Sequence, residues 1–89
     1  MARASMRLPV GIAGLDGPSS LQCEGATVQE ALADCVAKEP RLRSRIFKED
    51  GTVWVGVFLN GKHIRQTGGV ASPLSDGDEI RIMPPISGG

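Results

Sequence analysis

The strongest strand signal in the chain is apolar on both of its faces. Over residues 52–60, valine and leucine occupy alternate positions, while Trp54, Gly56 and Phe58 lie between them. Successive side chains of a strand point to opposite faces of a sheet. One face must therefore pack against a helix, and the sequence predicts only one long amphipathic helix. The second apolar face is left for a partner, which constrains both the fold and the function.

The helix is indicated by its capping sequence and by its apolar spacing. Thr27 and Glu30 form a capping box, in which side chains satisfy the unpaired backbone N–H groups of the first turn. Pro40 ends the helix. The helix carries a stripe of apolar residues along one face. Because a chain of 89 residues buries only a modest core, this stripe is expected inside the core. The stripe has helical spacing and comprises Val28, Ala31, Leu32, Cys35 and Val36.

Two strands are predicted before the helix. Apolar residues alternate with other residues over positions 6–12, which predicts the first strand. Pro9 has no backbone N–H, so we expect it at a gap in the hydrogen-bond ladder or at a bulge. Leu21 and Cys23 predict a returning strand that forms an antiparallel hairpin with the first.

Three strands are predicted after the helix, the first of them at 52–60. The dipeptide Asn60-Gly61 predicts a hairpin turn into a short strand at 63–66. A last strand follows a second turn, because Ile80 and Ile82 alternate with polar or exposed positions. One helix on one face of a mixed sheet gives an α+β fold.

Three arginines alternate with apolar and small residues just after the helix. Arg41, Arg43 and Arg45 favour a solvated edge of a loop or short helical turn, with an anion site as the alternative.

Composition excludes several classes of function. Ten basic and ten acidic residues cancel, and no basic stripe is interleaved with aromatic residues, so nucleic-acid binding has no electrostatic support. The sequence has no membrane-spanning apolar run and no convincing signal peptide, so we expect a cytoplasmic protein.

Cys23 and Cys35 are too few for a zinc or iron–sulfur site. Each cysteine falls in the same periodic pattern as its apolar neighbours, which predicts buried structural thiols. No metal site is expected.

The C-terminal end of the chain combines two prolines with two glycines. The last six residues are Pro84, Pro85, Ile86, Ser87, Gly88 and Gly89. Prolines donate no backbone hydrogen bond, so the last strand must stop where they begin. The four residues after them reach about 13 Å when extended. Glycine has no side chain, so this tail can enter a channel too narrow for other residues. A frayed terminus is the alternative.

This ending resembles that of the ubiquitin-like sulfur carrier proteins (MoaD/ThiS-like). The family pattern is Pro-Leu-x-Asp-Gly-Asp-x-Val/Ile, a strand, a proline and Gly-Gly. Here it stands as Pro73-Leu74-Ser75-Asp76-Gly77-Asp78-Glu79-Ile80 through Gly88-Gly89. The resemblance implies a β-grasp fold over residues 1–85, with the first and last strands parallel and central, and a flexible Gly-Gly tail over 86–89. The Gly68-Gly69 element before Pro73-Leu74 resembles the same part of the sequence in carriers of the cysteine-synthesis type.

The resemblance also implies that the chain is a protein co-substrate and not an enzyme. An E1-like activating enzyme adenylates the Gly89 carboxylate with ATP, and sulfide or a persulfide displaces AMP to give a thiocarboxylate. A sulfur-accepting biosynthetic enzyme then takes the sulfur. Gly88 is required by the width of the channel. ATP and the sulfur source are used by the partner, and no cofactor is expected on this chain. The product is expected to be cysteine, a thiosugar or another secondary metabolite, with molybdopterin and thiamine as alternatives.

Partner-binding residues are predicted on the sheet face that points away from the helix, and along the tail. Large apolar residues that cluster on a surface usually mark a binding site. His63, the single histidine, is expected in the exposed hairpin or at the rim of this surface rather than as a base. Loops or a second copy of the chain could instead cover this face. The predicted partner-binding set is Trp54, Phe58, Arg81, Met83, Pro84, Pro85, Ile86 and Ser87.

Two other functions remain open at the level of sequence. A ubiquitin-like protein modifier would use the same activation step, but its Gly89 would form isopeptide bonds with lysines. The captured product, thiocarboxylate or lysine conjugate, distinguishes it from a carrier. In a plain β-grasp interaction domain, deletion of Gly88-Gly89 would have no effect, whereas Phe58→Ala or Trp54→Ala would abolish partner binding.

Overall fold

The fold alternates between strands of one sheet and the helical segments that connect them. The computed structural model describes residues 2–84. In chain order the main elements are β1 (Ala2–Arg7), α1 (Val10–Ala13), β2 (Ser20–Gly25), α2 (Val28–Lys38), α3 (Arg43–Ile46), β3 (Gly56–Leu59), β4 (Lys62–His63) and β5 (Glu79–Met83). Short 3₁₀ turns occupy Pro40–Leu42, Ile64–Gln66 and Gly69–Ala71.

The five strands form one mixed sheet in the order β2-β1-β5-β3-β4. β1 and β5 are parallel neighbours, with Met6 opposite Ile80. The other three strand pairs are antiparallel. The first and last strands are thus parallel and central, which confirms the predicted β-grasp arrangement.

Helix α2 supplies the apolar cover for one face of the sheet. Thr27 Oγ1 accepts a hydrogen bond from the Glu30 backbone N–H at 3.3 Å, and the Glu30 carboxylate accepts one from the Ala26 N–H at 2.8 Å. The predicted capping box is therefore present, although its second bond reaches the residue before the cap. Buried residues of the helix and of the sheet form one cluster. Its largest fully buried side chains include Met6, Leu32, Leu42, Ile46, Ile80 and Ile82.

The first strand differs from the prediction in both position and length. It covers Ala2–Arg7 and not residues 6–12, and Val10–Ala13 form the helical turn α1. Pro9 is the N-cap of that turn, and its carbonyl oxygen accepts hydrogen bonds from the Ile12 and Ala13 N–H groups at 2.9 Å. Leu8 and Ile12 are both buried. Their spacing of four residues fits a helical turn as well as a strand, which explains the error.

The strand predicted over residues 52–60 is shorter than expected. Only Gly56–Leu59 form β3. Residues 52–54 pair instead with the end of α3 and the residues after it. The Lys48 N–H donates to the Thr52 carbonyl at 2.8 Å, and the Trp54 N–H donates to the Ile46 carbonyl at 3.1 Å. The apolar pattern is continuous, but the chain changes its pairing partner halfway along it.

Two smaller predictions concern short segments on either side of β3. The strand predicted at 63–66 is limited to Lys62–His63, because Ile64–Gln66 turn into a 3₁₀ segment. Arg41, Arg43 and Arg45 are exposed on short helical turns, while Leu42 and Ile46 of the same turns are buried. The solvated edge predicted for these arginines is therefore correct.

Candidate docking surface and start of the C-terminal tail

The sheet face opposite α2 carries an apolar patch at its β5–β3–β4 side. We call Phe58, His63 and Met83, with Gly56 between them, the open-face patch. Gly56 pairs with Met83 across β3 and β5, and a Cβ placed at Gly56 would lie 3.5 Å from Met83 Cβ and 3.7 Å from Phe58 Cε1. Met83 is 42% exposed, and Phe58 beside it is partly exposed. Phe58, Arg81 and Met83 thus share this face, as predicted.

His63 is part of the patch because its ring contacts that of Phe58. The two ring centroids are 5.1 Å apart at an interplanar angle of 76°, an edge-to-face arrangement. His63 Nδ1 accepts a hydrogen bond from the Arg65 N–H at 3.1 Å, which fixes the orientation of the imidazole. The position at the rim of the patch matches the prediction for this residue.

An ion-pair cluster borders the patch on β1 and β5. Glu79 lies between two arginines, with 3.4 Å from its Oε2 to Arg7 Nε and 3.3 Å from its Oε1 to Arg81 Nη2. All three side chains are substantially exposed, so the pairs contribute little to folding. Sequence reasoning missed Arg7 and Glu79, because only the parallel pairing of β1 with β5 brings them together.

Trp54 is exposed but is not part of β3. Its side chain is 44% exposed, and its backbone belongs to the segment that pairs with Ile46. The strand alternation used to predict its direction therefore does not apply to it. Trp54 remains a candidate contact residue on its exposure alone.

The Asn60-Gly61 turn fixes β5 against the β3–β4 hairpin. Asn60 has φ 51° and Gly61 has φ 87°, a backbone geometry suited to a two-residue hairpin turn. Asn60 Oδ1 accepts from the Glu79 N–H at 2.9 Å, and Asn60 Nδ2 donates to Asp78 Oδ1 at 3.0 Å. The predicted turn is thus also a clamp on the start of β5, the strand that leads to the tail.

Pro84 is the last residue described, and it ends β5 as predicted. Its ring lies near α1, where a Cβ placed at Gly11 would be only 3.1 Å from Pro84 Cγ. No sequence signal pointed to Gly11. The remaining predicted tail residues, Pro85, Ile86, Ser87, Gly88 and Gly89, lie outside the described residues.

The two cysteines are buried in contact with each other between β2 and α2. The hydrogen bond from the Cys35 thiol to the Cys23 sulfur, together with burial, raises the pKa of Cys35 far above its ordinary value. The same hydrogen bond lowers the pKa of Cys23. Both side chains are inaccessible to solvent, so they pack in the core as predicted.

Neither a metal cluster nor a membrane-spanning helix is found within residues 2–84. No group of three or more histidine, cysteine, aspartate or glutamate side chains in that range could ligate a metal ion. None of its helices combines the length and apolar character needed to cross a bilayer.

Comparison with known proteins gives consistent relatives over nearly the whole chain. The chain is 29% identical to a putative sulfur carrier protein of Archaeoglobus fulgidus over 86 residues, covering 94% of this chain and 96% of the relative. It is 37% identical to small archaeal modifier protein 3 of Haloferax volcanii over 68 residues, covering 74% and 73% of the two chains.

Solved structures with the same fold include a small archaeal modifier protein and a chain of a BexX/CysO complex. The crystal structure of small archaeal modifier protein 1 from Haloferax volcanii has a TM-score of 0.84 at 29% identity, covering 99% of this chain and 100% of the other. A chain in the Amycolatopsis orientalis BexX/CysO complex has a TM-score of 0.76 at 26% identity, covering 97% and 99%.

A family model covers most of the chain. The model described as the ThiS family matches residues 12–89, a range that includes the open-face patch and the C-terminal glycines. Proteins of this type are small co-substrates of other enzymes and are not enzymes themselves. With this match and the relatives above, the chain belongs to the ThiS family of ubiquitin-like sulfur carrier proteins.

Proposed function

We propose that Gly89 of this chain is converted to a thiocarboxylate that donates sulfur in the biosynthesis of a sulfur-containing metabolite. The observation that carries the proposal is the Gly88-Gly89 terminus, in a chain whose family match extends from residue 12 to that terminus. β5 leads from the open-face patch directly to Pro84, so a docking surface adjoins the start of the reactive tail. This arrangement suits a protein that docks on an enzyme and presents its own terminus to it.

The chemistry requires a carboxylate to be made reactive. The Gly89 carboxylate attacks the α-phosphorus of ATP, pyrophosphate leaves, and the acyl adenylate forms. Hydrosulfide then displaces AMP and leaves the thiocarboxylate. A persulfide reaches the same product through an acyl disulfide, which a second thiol must cleave. Both steps belong to the partner's active site, since this chain contributes the substrate atoms.

Docking is assigned to the open-face patch and the residues around it. Phe58 and Met83 supply apolar area, and the adjacent Arg81 supplies a charge that can pair with a carboxylate of the partner. Trp54 and residues 84–87 would extend the contact. The same surface would serve the activating enzyme and the sulfur-accepting enzyme in turn. Because activation consumes ATP, we expect it in the cytoplasm.

We expect the pathway to be of the cysteine or thiosugar type. The Gly68-Gly69 dipeptide is similar to carriers of the first type. The likeness to a chain in the Amycolatopsis orientalis BexX/CysO complex, and to the sulfur carrier protein CysO of Mycobacterium tuberculosis, supports a carrier of the CysO type.

A protein modifier is the second candidate function. The 37% identity to small archaeal modifier protein 3 of Haloferax volcanii favours it specifically. Activation is shared, and the two functions diverge only in the nucleophile, sulfur or a lysine amine, that attacks the adenylate.

The experiment that tests the proposal traps sulfur at the terminus. The protein is incubated with a panel of candidate activating enzymes, ATP and sulfide, and then treated with a reagent that alkylates thiocarboxylates. The C-terminal peptide is analysed by mass spectrometry, because replacing oxygen by sulfur changes the intact mass almost as one methionine oxidation does. Controls omit ATP or use the chain with Gly89 deleted.

ATP-dependent alkylation at Gly89 that disappears in the deletion variant supports the carrier. Lysine-linked adducts without alkylation would replace it with the modifier. If neither product forms with any enzyme of the panel, the proposed function fails.

A further inference from the structure

The helical turn α1 lies against the point where the tail begins, and it is itself firmly anchored. Leu8 and Ile12 are buried on either side of Pro9, whose carbonyl accepts two hydrogen bonds from the turn. The Leu8 N–H also donates to the Ser19 carbonyl at 2.8 Å, which closes the loop that contains α1. The turn is therefore a fixed surface and not a loose connection.

Gly11 of α1 faces the Pro84 ring at close range. A Cβ placed at Gly11 would lie 3.1 Å from Pro84 Cγ and 3.9 Å from Pro84 Cβ. The first distance is shorter than ordinary carbon–carbon contact. A methyl group at position 11 would therefore require the proline ring to shift by a few tenths of an ångström, and a larger side chain would require more.

The backbone of α1 gives no reason for a glycine at position 11. Gly11 is not among the residues with positive φ, and it lies inside a helical turn, where glycine is less favourable than alanine. The glycine is thus explained by the space that Pro84 occupies and not by the conformation of the chain.

We propose that Gly11 is a positioning residue, which orients Pro84 and thereby sets the direction in which the chain leaves β5. The inference rests on the proposed function, since direction matters only if the terminus must enter an active site. Proline has a fixed φ, so the placement of its ring determines the course of its backbone. A protein substrate that docks through one surface reacts efficiently only if its reacting terminus is oriented toward the active site.

Steady-state kinetics of ATP–pyrophosphate exchange test this role, using the activating enzyme that labels the wild-type chain. Gly11→Ala should lower kcat about 3-fold and Gly11→Val about 30-fold, because misplacement of reacting groups slows the chemical step. KM should change much less than kcat in both, because the open-face patch, which supplies most of the contact, is intact. The thermal midpoint of Gly11→Ala should not fall, because alanine is the better helix former.

Two matched variants separate positioning from other effects. Val10→Ala alters an exposed side chain of the same turn and should change neither kcat nor KM. Gly56→Ala adds a methyl group to the open-face patch at ordinary contact distance, so it should raise KM and leave kcat unchanged. An increase in KM for Gly11→Ala, with kcat unchanged, would overturn the positioning role and make Gly11 a docking residue.

A double-mutant cycle tests whether Gly11 acts through Pro84. In a Pro84→Ala background, Gly11→Ala should have no further effect on kcat, because the ring that it displaces is gone. Equal losses in the two backgrounds would overturn the inference.

A measurement on the isolated protein keeps the inference separate from the proposed function. In ¹³C-labelled wild type, nuclear Overhauser effects should connect the Gly11 Hα protons with the Pro84 ring protons, and Gly11→Val should abolish them. Absence of these effects in wild type overturns the contact whatever the activity. If no enzyme activates wild type, the proposed function fails and the role in activation fails with it. The Overhauser effects then still decide whether Gly11 orients Pro84.

Discussion

The two faces of the sheet have opposite composition although they are built from the same strands. On the face toward α2, the side chains of β1, β3 and β5 are buried, as Met6, Val57 and Ile80 show. On the other face, Phe58 and Met83 lie beside charged side chains in contact with solvent. A domain of this size has few apolar residues to spare from its core. Their clustering on the open face supports the proposed docking surface.

The comparison predicts that substitutions on the covered face act mainly on stability. Ile80→Ala should lower the free energy of unfolding by about 3 kcal/mol, because it leaves a cavity at the centre of the core. Urea denaturation measures this, and Ile80→Val should cost only about 1 kcal/mol. An Ile80→Ala variant as stable as wild type would show that the covered face is not the main core.

Substitutions on the open face should act mainly on activation by the partner. Met83→Ala should lower kcat/KM for ATP–pyrophosphate exchange about 10-fold, through loss of apolar contact in the interface, while stability changes by less than about 1 kcal/mol. Phe58→Leu serves as the conservative control, because it keeps most of the apolar area. A large loss of stability with unchanged kcat/KM would remove the distinction between the faces.

The ion-pair cluster should affect association and not folding. Two arginines surround Glu79, so this edge has a net positive charge that favours an acidic partner surface. Glu79→Gln should lower KM about 2-fold at low salt and leave it unchanged at high salt, where screening removes the effect. Stability should change by less than about 0.5 kcal/mol. A higher KM at low salt would contradict an acidic partner surface.

The smallest expected effect is on the pH dependence of stability, and it comes from Asp34 at the edge of the covered face, where α2 contacts β2. The Asp34 carboxylate accepts from the Glu24 N–H at 2.9 Å and pairs with Lys38 at 3.0 Å, and both contacts lower the pKa of Asp34 below its ordinary 3.8. A carboxylate with a lowered folded-state pKa stabilises the fold above its ordinary pKa, and this contribution is lost as pH falls through the folded value.

Asp34→Asn should therefore weaken the dependence of stability on pH. Between pH 7 and pH 3, the urea midpoint of the variant should fall less than that of wild type, because one carboxylate no longer takes up a proton on unfolding. The asparagine side chain can still accept from Glu24, which makes it a close structural match. Parallel profiles for the two proteins would show that Asp34 does not contribute.

Sequence patterns predicted the elements whose signals are local. The capping residues Thr27 and Glu30, the spacing of the α2 stripe, the Asn60-Gly61 turn and the alternation around Ile80 each indicated the observed structure. The open-face positions of Phe58, Arg81 and Met83 followed from strand alternation. Alternation failed for Trp54, since β3 begins only at Gly56, two residues after it.

Other features depend on residues that are distant in sequence. The spacing of Leu8 and Ile12 fits a strand or a helical turn equally well. In the fold, residues 10–13 form a helical turn and both side chains are buried in the core. Residues 52–54 look like a continuation of β3, but a second backbone partner was available near Ile46.

By itself, the sequence determined the α+β class, the helix and the last strand, because periodicity, capping and proline act over a few residues. Only the tertiary structure decided the Arg7–Glu79 pairing and the contact of Gly11 with Pro84. Each of these joins parts of the chain about seventy residues apart. The parallel placement of β1 beside β5 brings them together, and no local pattern encodes that placement.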